Sequence, residues 1–578
     1  MYLHPDDIAG AEVCFLLVVE WAGMKYRFST VPIDLVDLIT GQNYRYNGGL
    51  SDPDIQQSSN FTGVNLEADS VSVELVFDGI NWVNEWLSGH SLVNSKCTMS
   101  MIPIKDGVTT FKEQDAIQLF NGVVVDPIIG TPDKPKGHVI FSIENSTNVV
   151  KQKLLPDQQE INVYQFPGLD QRAAALGRTI SYPMGKYIPF VFGEPGRWYR
   201  QDTKTVGGFV ERAVVRFEDR AQVSPAYTVD ATGSGISLET TYVIAVGDVA
   251  SSRVRIWDQD GGNFVNTVEK ATNSDGLIVS QVKYQFGSVI EDNSFVPALD
   301  NDQTFWVSWG EYDGGMPDPI TNQSLGPAIN LILYTLQLTG LEYNQDKWLG
   351  LSSLLSRYQF AGYVNDPNVL AMDWLRENVL NHLPIQVFNG DQGLEPRVNL
   401  YHYADNIQPS YYLTDSGTFN IITGIQPLDV EVVNKIVLKF CYAGEFQQYL
   451  TTIVIDPTLP DEELDALHIR DPISQVSFQR YGLREEVVEC PFIWDLDTAM
   501  RVARDKIRMR GLGMLAVEVS AAASFGYLQV GDLIALTSEN LSLVQHKCQI
   551  IEKSWNQNTW RFVLHLESNS VVNPRQLT

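Results

Sequence analysis

A chain of 578 residues, 44% hydrophobic and only 19% charged, has core enough for roughly three to five folded units, which excludes a disordered or fibrous protein. Its 70 acidic residues against 41 basic ones leave a formal charge of −29 and exclude tight general binding to DNA or anionic lipid, affinities that come from Lys and Arg displacing counterions. Cys14, Cys97, Cys441, Cys490 and Cys548 lie far apart with no CxxC or Cys/His spacing, and no run approaches the ~20 apolar residues of a membrane helix, so no disulfide framework, zinc site or stable membrane insertion is legible.

The opening Met-Tyr-Leu-His-Pro-Asp-Asp is acidic where a secretory signal needs a basic flank, so the expectation is a soluble protein made in a reducing cytoplasm. The first ~165 residues alternate as antiparallel strands do. Val13 to Glu20 and Lys25 to Ser29 flank a hairpin turn at Ala22-Gly23-Met24. From Ser70, Val71, Val73, Leu75 and Phe77 fall on one face, and further strands are expected at Cys97 to Ile104, Ile117 to Val125 and His138 to Ile143. Ile80 to Leu87 offers a short helix carrying Trp82 and Trp86. The predicted result is a small barrel or sandwich.

Gln171 to Leu176 is a short Ala-rich helix candidate, and KYIPFVFGEPGRWY after it reads as a linker closing onto a strand. Tyr227 to Pro297 reads as a separate β segment, in which Asp260-Gly261 between alternating runs is a strong hairpin signal. Helices enter after Asn301. Pro327 suits the first turn of a helix Ala328 to Leu338 that Gly340 ends, and a second helix is predicted over Asn368 to His382, with Val369, Met372, Leu375, Val379 and Leu383 on one face and Pro384 as its stop. IQVFNGDQGLEPRVNLYHY then reads as a hairpin turned at Gly390-Asp391 or Gly393.

In the last ~145 residues, Asn434 to Tyr442 and Gln447 to Ile455 read as paired strands and Asp461 to Leu467 as an acidic helical turn. A helix starting near Asp495 or Asp497 presents Ala499, Val502, Ala503 and Ile507 to the core and ends at Gly511, with Arg501, Arg504, Lys506, Arg508 and Arg510 mostly in its second half, where the dipole favours them. Strands at Leu515 to Ala521 and Asp532 to Thr537, then a hairpin of Cys548 to Trp555 with Trp560 to Leu566, complete the chain. Their alternation is expected to bury Leu533 and Val563.

Catalytic signatures are absent: there is no GxSxG, HExxH or GxxxxGK[ST]. The one GxGxxA match, Gly511 to Ala516, follows a helix and enters a strand, the reverse of the order a dinucleotide needs. Asp258, Asp260 and Glu269 match three ligand positions of a calcium loop, but Gly262 and Asn263 stand where an oxygen ligand and the turn glycine belong, so a hairpin explains the string better. Asp461, Glu462, Glu463 and Asp465 are conceivable as paired carboxylates for glycoside cleavage, yet a helix start after Pro460 accounts for them. Trp306 and Trp309 are candidates for sugar stacking, with core or interface aromatics as the simpler reading. The eight histidines are scattered without metal spacing. No catalytic, cofactor or metal residue is assigned, and no enzymatic activity is expected.

The order of elements adds a resemblance. A strand-rich opening with LFNGVVV, a connector with GKYIPFVFGEPG, a helical part with AINLILYTLQLTG and DWLRENVLNHLPIQVFNGDQG, and an ending with LDTAMRVARDKIR, LQVGDLIALTS and a closing hairpin resemble the baseplate or tail-tip hub proteins of tailed bacteriophages. The most specific part is Asp495 to Glu567. The resemblance implies a mainly β fold with minor α (α+β), made of several small β-barrel or sandwich domains, two of them tube-like, and a helix-containing middle. On this reading residues 1–165 form the N-terminal tube-like barrel, 166–226 a connector with strands returning to the barrels, 227–300 an inserted small β domain, 301–430 a helix-containing α+β domain and 431–578 a C-terminal barrel-like domain with one helix. It further implies a homotrimer in the virion, assembled in the host cytoplasm. Its implied partners are the tail tube, distal tail protein, tape measure protein and a central fibre or spike, and DNA passes through without specific binding. The alternatives are a distal tail ring or adhesin subunit, or a tail-associated glycan-degrading enzyme.

Overall fold

The computed structural model describes residues 12–567 except 59–69, 78, 105–111, 130–136, 145–154, 156–159, 170–183, 194–197, 207–208, 219–223, 233–238, 247–252, 258–262, 268, 274–275, 277, 286–304, 310–324, 341, 391–392, 401–408, 429, 444–446 and 557–558. The fold is mainly β with a minor helical part. Period-two patterns become strands where expected: Ser70–Val76 buries Val71, Val73 and Leu75 completely. Strands Glu12–Trp21 and Met24–Ser29 close on the two residues Ala22 and Gly23, whose φ angles of 49° and 76° match the twist of the strands they join. The helix Trp82–Leu87 is capped by Asn81, whose side chain accepts the Asn84 N–H, and it buries Trp82 while leaving Trp86 partly in solvent.

The dominant element is a 16-stranded sheet. Its strands run in the order Phe419–Ile421, Leu515–Ala522, Thr559–Leu566, Leu543–Asn556, Asp54–Ser58, Ser70–Val76, His138–Glu144, Ile117–Ile129, Lys96–Ile104, Glu12–Trp21, Met24–Ser29, Asn43–Gly48 and Ile33–Val36. Tyr411–Thr414, Gln426–Pro427 and Leu533–Ser538 branch from this path. Among the described residues the path is open, so the two expected barrels are not closed ones. The reason is a long-range pairing. Asp54–Ser58, at the edge of the N-terminal strands, spends its free side on Leu543–Asn556, with Gln56, Gln57 and Ser58 opposite Ser554, Lys553 and Glu552.

A second sheet of seven strands gathers Ser224–Thr232, Glu239–Val246, Arg253–Trp257, Asn263–Thr267, Glu269–Thr272, Ile278–Gln285 and Phe305–Trp309. Trp257 pairs with Asn263, so the predicted hairpin is present while its turn, with Asp260-Gly261, lies outside the described residues. The Gln171 to Leu176 helix candidate also lies outside them. The connector strand Phe190–Phe192 pairs with Gly362–Val364.

The helical part departs from expectation in its boundaries. Pro327 takes the cap position with extended backbone, one residue before the helix Ala328–Thr339, and Gly340 closes it at a φ of 66°. The second helix is shorter than predicted, Ala371–Asn378, followed by a 3-10 turn Leu380–His382. Asp366 captures the Asn368 N–H in a side-chain turn at its start, and Val379 breaks the helical path with φ −125° and ψ −62°. Met372, Leu375, Val379 and Leu383 are buried all the same. Asp461–Glu463 forms only a 3-10 turn. Among the helices that periodicity missed, Gln345–Gly350 and Pro472–Tyr481 begin with side-chain caps from Asn344 and Asp471. Helix Leu496–Arg510 starts from an Asp495 cap and buries Ala499, Val502, Ala503 and Ile507.

Two large apolar clusters share no residue. One joins Phe190, Ile332, Trp348 and Leu375 to Ile436 and Ile507, so the four-stranded sheet of His468–Ile469, Gln448–Ile455, Lys435–Ala443 and Glu485–Cys490 belongs with the helices. The other joins Phe15, Val71 and Met99 to Phe419, Trp560 and Phe562, along the large sheet. Leu533 and Val563 are only half-buried. The expectation was one residue out of phase in Thr559–Leu566, where Phe562 and Leu564 take the core side.

Candidate functional site

Direct cross-strand partners in a sheet point to the same side, so register alone traces what each face presents. One row crosses eleven strands without interruption: Asn420, Ser520, Arg561, Ser554, Gln56, Ser70, Glu144, Val123, Lys96, Glu20 and Lys25. Its members are overwhelmingly polar, and Asn420, Arg561, Gln56, Lys96, Glu20 and Lys25 are exposed. Their chain neighbours Val519, Phe562, Trp555, Ile55, Val71, Ile143, Val124, Cys97 and Val19 are buried in the second cluster. Along this row the sheet therefore has one greasy side and one polar side, and the polar row is continuous across the joint between the two ends of the chain; further along the N-terminal strands, Cys14, Leu16, Ile102 and Ile104 on the same side as Glu20 form a small apolar cluster with Ile33, Leu35 and Tyr46.

Charges on the polar side are paired. Lys25 lies 2.8 Å from Glu20, and the hydrogen bond from Lys25 holds that carboxyl below its ordinary range. Arg27, two residues further along, approaches Glu113 at 3.5 Å and covers the Tyr44 ring at 3.9 Å. Lys96 reaches Glu342 at 3.7 Å, and Arg561 reaches Glu518 at 2.5 Å. At the N-terminal end the face deepens into an open groove of about 560 Å3, lined by Val18, Thr98 and Asn121, by the Lys25–Glu20, Arg27–Glu113 and Lys96–Glu342 pairs, and by Tyr44 and Tyr46. The Tyr46 hydroxyl donates to Glu113 at 2.7 Å, and burial followed by that carboxylate raises its pKa.

A second charged constellation is buried where the two apolar clusters meet. Hairpin Ile385–Gly390 and Gly393–Val398 sends Val387 and Leu394 into the helical cluster and Phe388 into the sheet cluster. Glu395, 2% exposed, binds Lys347 and accepts from Arg397 at 2.6 Å. Arg397 continues to Gln529 at 3.1 Å and to Asp532 at 3.6 Å, and burial raises the Asp532 carboxyl pKa against the pull of Arg397. Gln549 donates to the Val398 and Gly531 carbonyls at 3.0 and 3.1 Å and accepts the Leu400 N–H. Gly531 has a φ of +89°, and a Cβ there would meet Arg397 Cγ and Phe388 Cε2 at 2.7 Å, so this turn accepts no side chain.

Cys490 and His382, 108 residues apart in sequence, meet at 3.6 Å in the core. Burial, then the nearby Lys506 charge, pushes His382 down to about 3, and burial pushes the Cys490 thiol up to about 12. The pair is thus a neutral imidazole beside a protonated thiol with no access for substrate, not an activated nucleophile. Among the carboxylates singled out above, Asp461 binds Arg470, and Asp465 accepts the Leu467 and His468 N–H groups, both at 2.7 Å. Glu269 sits in a strand and pairs with Lys283 at 3.1 Å, and Asn263 opens a strand, so helices do not flank that loop; Asp258 and Asp260 lie outside the described residues. Trp306 and Trp309 belong to a strand whose side chains are likewise outside the description. Gly511 follows the helix and Leu515 opens a strand, the order already unsuited to a dinucleotide. Arg510, from the basic helix, is taken by Glu486 at 2.6 Å and by the Glu431 carbonyl at 3.1 Å. Among the described residues no group of three or more His, Cys, Asp or Glu could hold a metal ion, the five cysteines are free and buried, and no helix is long and apolar enough to cross a membrane.

No family model matches the chain, and no curated protein matches it.

Proposed function

We propose that this chain forms the trimeric hub of a phage tail tip or baseplate, joining the tail tube or distal tail ring to a central spike or fibre and lining the channel through which DNA leaves. The observation that carries the reading is the joint between Asp54–Ser58 and Leu543–Asn556, where strands from the two ends of the chain continue one another with their polar sides in common. A chain built in this way supplies two wall segments side by side, so three copies supply six, the number a tube of sixfold symmetry needs to continue. The outer strands Phe419–Ile421 and Ile33–Val36 end the sheet on both sides, and such edges call for cover by a neighbouring copy in a permanent assembly.

Mass in solution together with negative-stain imaging tests the reading. A threefold ring with a central pore is the expected result. A sixfold ring would favour the distal-ring alternative, and a compact monomer that hydrolyses polysaccharide would replace the structural role with an enzymatic one.

A further inference from the structure

We infer that the polar side of the large sheet is a self-neutralised wall, in which Lys25, Arg27, Lys96 and Arg561 are each held by a carboxylate so that duplex DNA passes without being retained. The inference rests on the hub reading for its location in the channel. Its electrostatic content stands on geometry alone.

Among the described residues Lys547 stands on this side, in step with Gln549 opposite His565, and so do four cations with a carboxylate at hand: Lys25, Arg27, Lys96 and Arg561. Their partners are Glu20, Glu113, Glu342 and Glu518, at 2.8, 3.5, 3.7 and 2.5 Å. Two of the partners come from outside the neighbouring strands: Glu113 from the turn Glu113–Asp115 and Glu342 from the segment after helix Ala328–Thr339. Carboxylates are thus brought to the cations from separate parts of the chain. Glu144 and Glu552 share the face, and Ser520, Ser554, Gln56 and Asn420 fill the spaces between.

Partly exposed pairs of this kind add little stability, about 0–1 kcal/mol each, so stability is a weak reason for four of them. Their effect on the field is larger. A free Lys or Arg facing a phosphate backbone releases a condensed counterion, and each such contact adds about 0.9 to the slope of log affinity against log salt. A cation already held by a carboxylate presents a small dipole, whose field fades well inside the ~8–10 Å over which salt screens a single charge. Along these four cations of the described residues the wall therefore lacks a stripe of unpaired charge that would arrest a polyanion, and its hydroxyl and amide groups offer only exchangeable hydrogen bonds.

The test uses the full chain and a labelled duplex of arbitrary sequence, read by fluorescence anisotropy. Wild type is expected to bind no DNA even at about 50 mM salt. The variant Glu20→Gln, Glu342→Gln, Glu518→Gln frees Lys25, Lys96 and Arg561 and is expected to bind, with affinity falling roughly 40-fold between about 50 and 200 mM salt. A control with the same change in net charge elsewhere, Glu462→Gln, Glu463→Gln, Asp497→Asn, is expected to behave as wild type. DNA binding by wild type, no binding by the first variant, or equal binding by the control would each overturn the inference. Ring symmetry is read independently on the same samples, so a monomer whose first variant binds DNA sinks the hub reading while the paired-charge assignment stands.

Discussion

The polar side of the large sheet and the seam around Glu395 both consist of paired charges, yet they answer to opposite physics. On the sheet, Lys25 and Glu20 are about half exposed, and water solvates either partner when the other is gone. In the seam the Glu395 side chain is 2% exposed, and no water waits to replace Lys347 or Arg397. Breaking a buried pair leaves an uncompensated charge, whereas breaking an exposed one leaves a hydrated side chain. The same chemical bond therefore serves as a joint in one place and as a control of surface potential in the other.

The sharpest way to break the comparison is Glu395→Ala. It strands Arg397 at 22% exposure beside Asp532 and removes the partner of Lys347. The expected cost is about 3 kcal/mol, near the low end for a broken buried pair because Lys347, 38% exposed, can rehydrate. Equilibrium denaturation in urea measures it. A loss below about 0.5 kcal/mol would remove the distinction between seam and surface.

Asp532 sharpens the comparison from within the seam. Its folded pKa is raised by burial despite Arg397, so the folded state holds the proton more tightly than the unfolded chain does. Stability from this group is then full below the unfolded carboxylate range and is lost as pH rises through the raised folded value. Asp532→Asn removes that dependence while keeping an oxygen for the Gln529 N–H, which Asp532 accepts at 2.9 Å. The expected outcome is stability equal to or above wild type at pH 7, with the advantage shrinking as the pH is lowered. A variant weaker than wild type at pH 7 would mean that the Arg397 contact outweighs desolvation.

Local pattern made much of this fold legible. Alternation located the Ser70–Val76 strand and its buried face, and the apolar stripe of Ala499, Val502, Ala503 and Ile507 located the final long helix. What stayed hidden was set by pairings between distant residues. Gln56 and Ser554 lie opposite each other across nearly the whole chain, so neither the joint nor the polar row could be read from a window of sequence. That the sheet path stays open was hidden for the same reason, since a strand's edge partner is not written in its own residues. In the seam, Lys347, Glu395, Arg397 and Asp532 come from three separate segments, each an ordinary surface charge when read alone. Val563 was misplaced because a strand with apolar residues on both sides, Trp560 to Leu566, gives no clear phase; its partners Glu518 and Glu552 reveal the side it occupies.

The smallest stability effect belongs to the face with the largest proposed consequence. Glu518→Gln breaks the 2.5 Å contact with Arg561, whose side chain is 54% exposed, and is expected to change stability by no more than about 0.5 kcal/mol. The neighbouring core, with Phe562 and Val519 both at 0% exposure, is untouched by the change. Thermal or urea unfolding should thus leave Glu518→Gln close to wild type while Glu395→Ala falls well below it. If Glu518→Gln instead lost 2 kcal/mol or more, far beyond the ~1 kcal/mol ceiling of an exposed pair, the Arg561 pair would be a structural clamp. The contrast between surface and seam would then reduce to a difference of position without a difference of role.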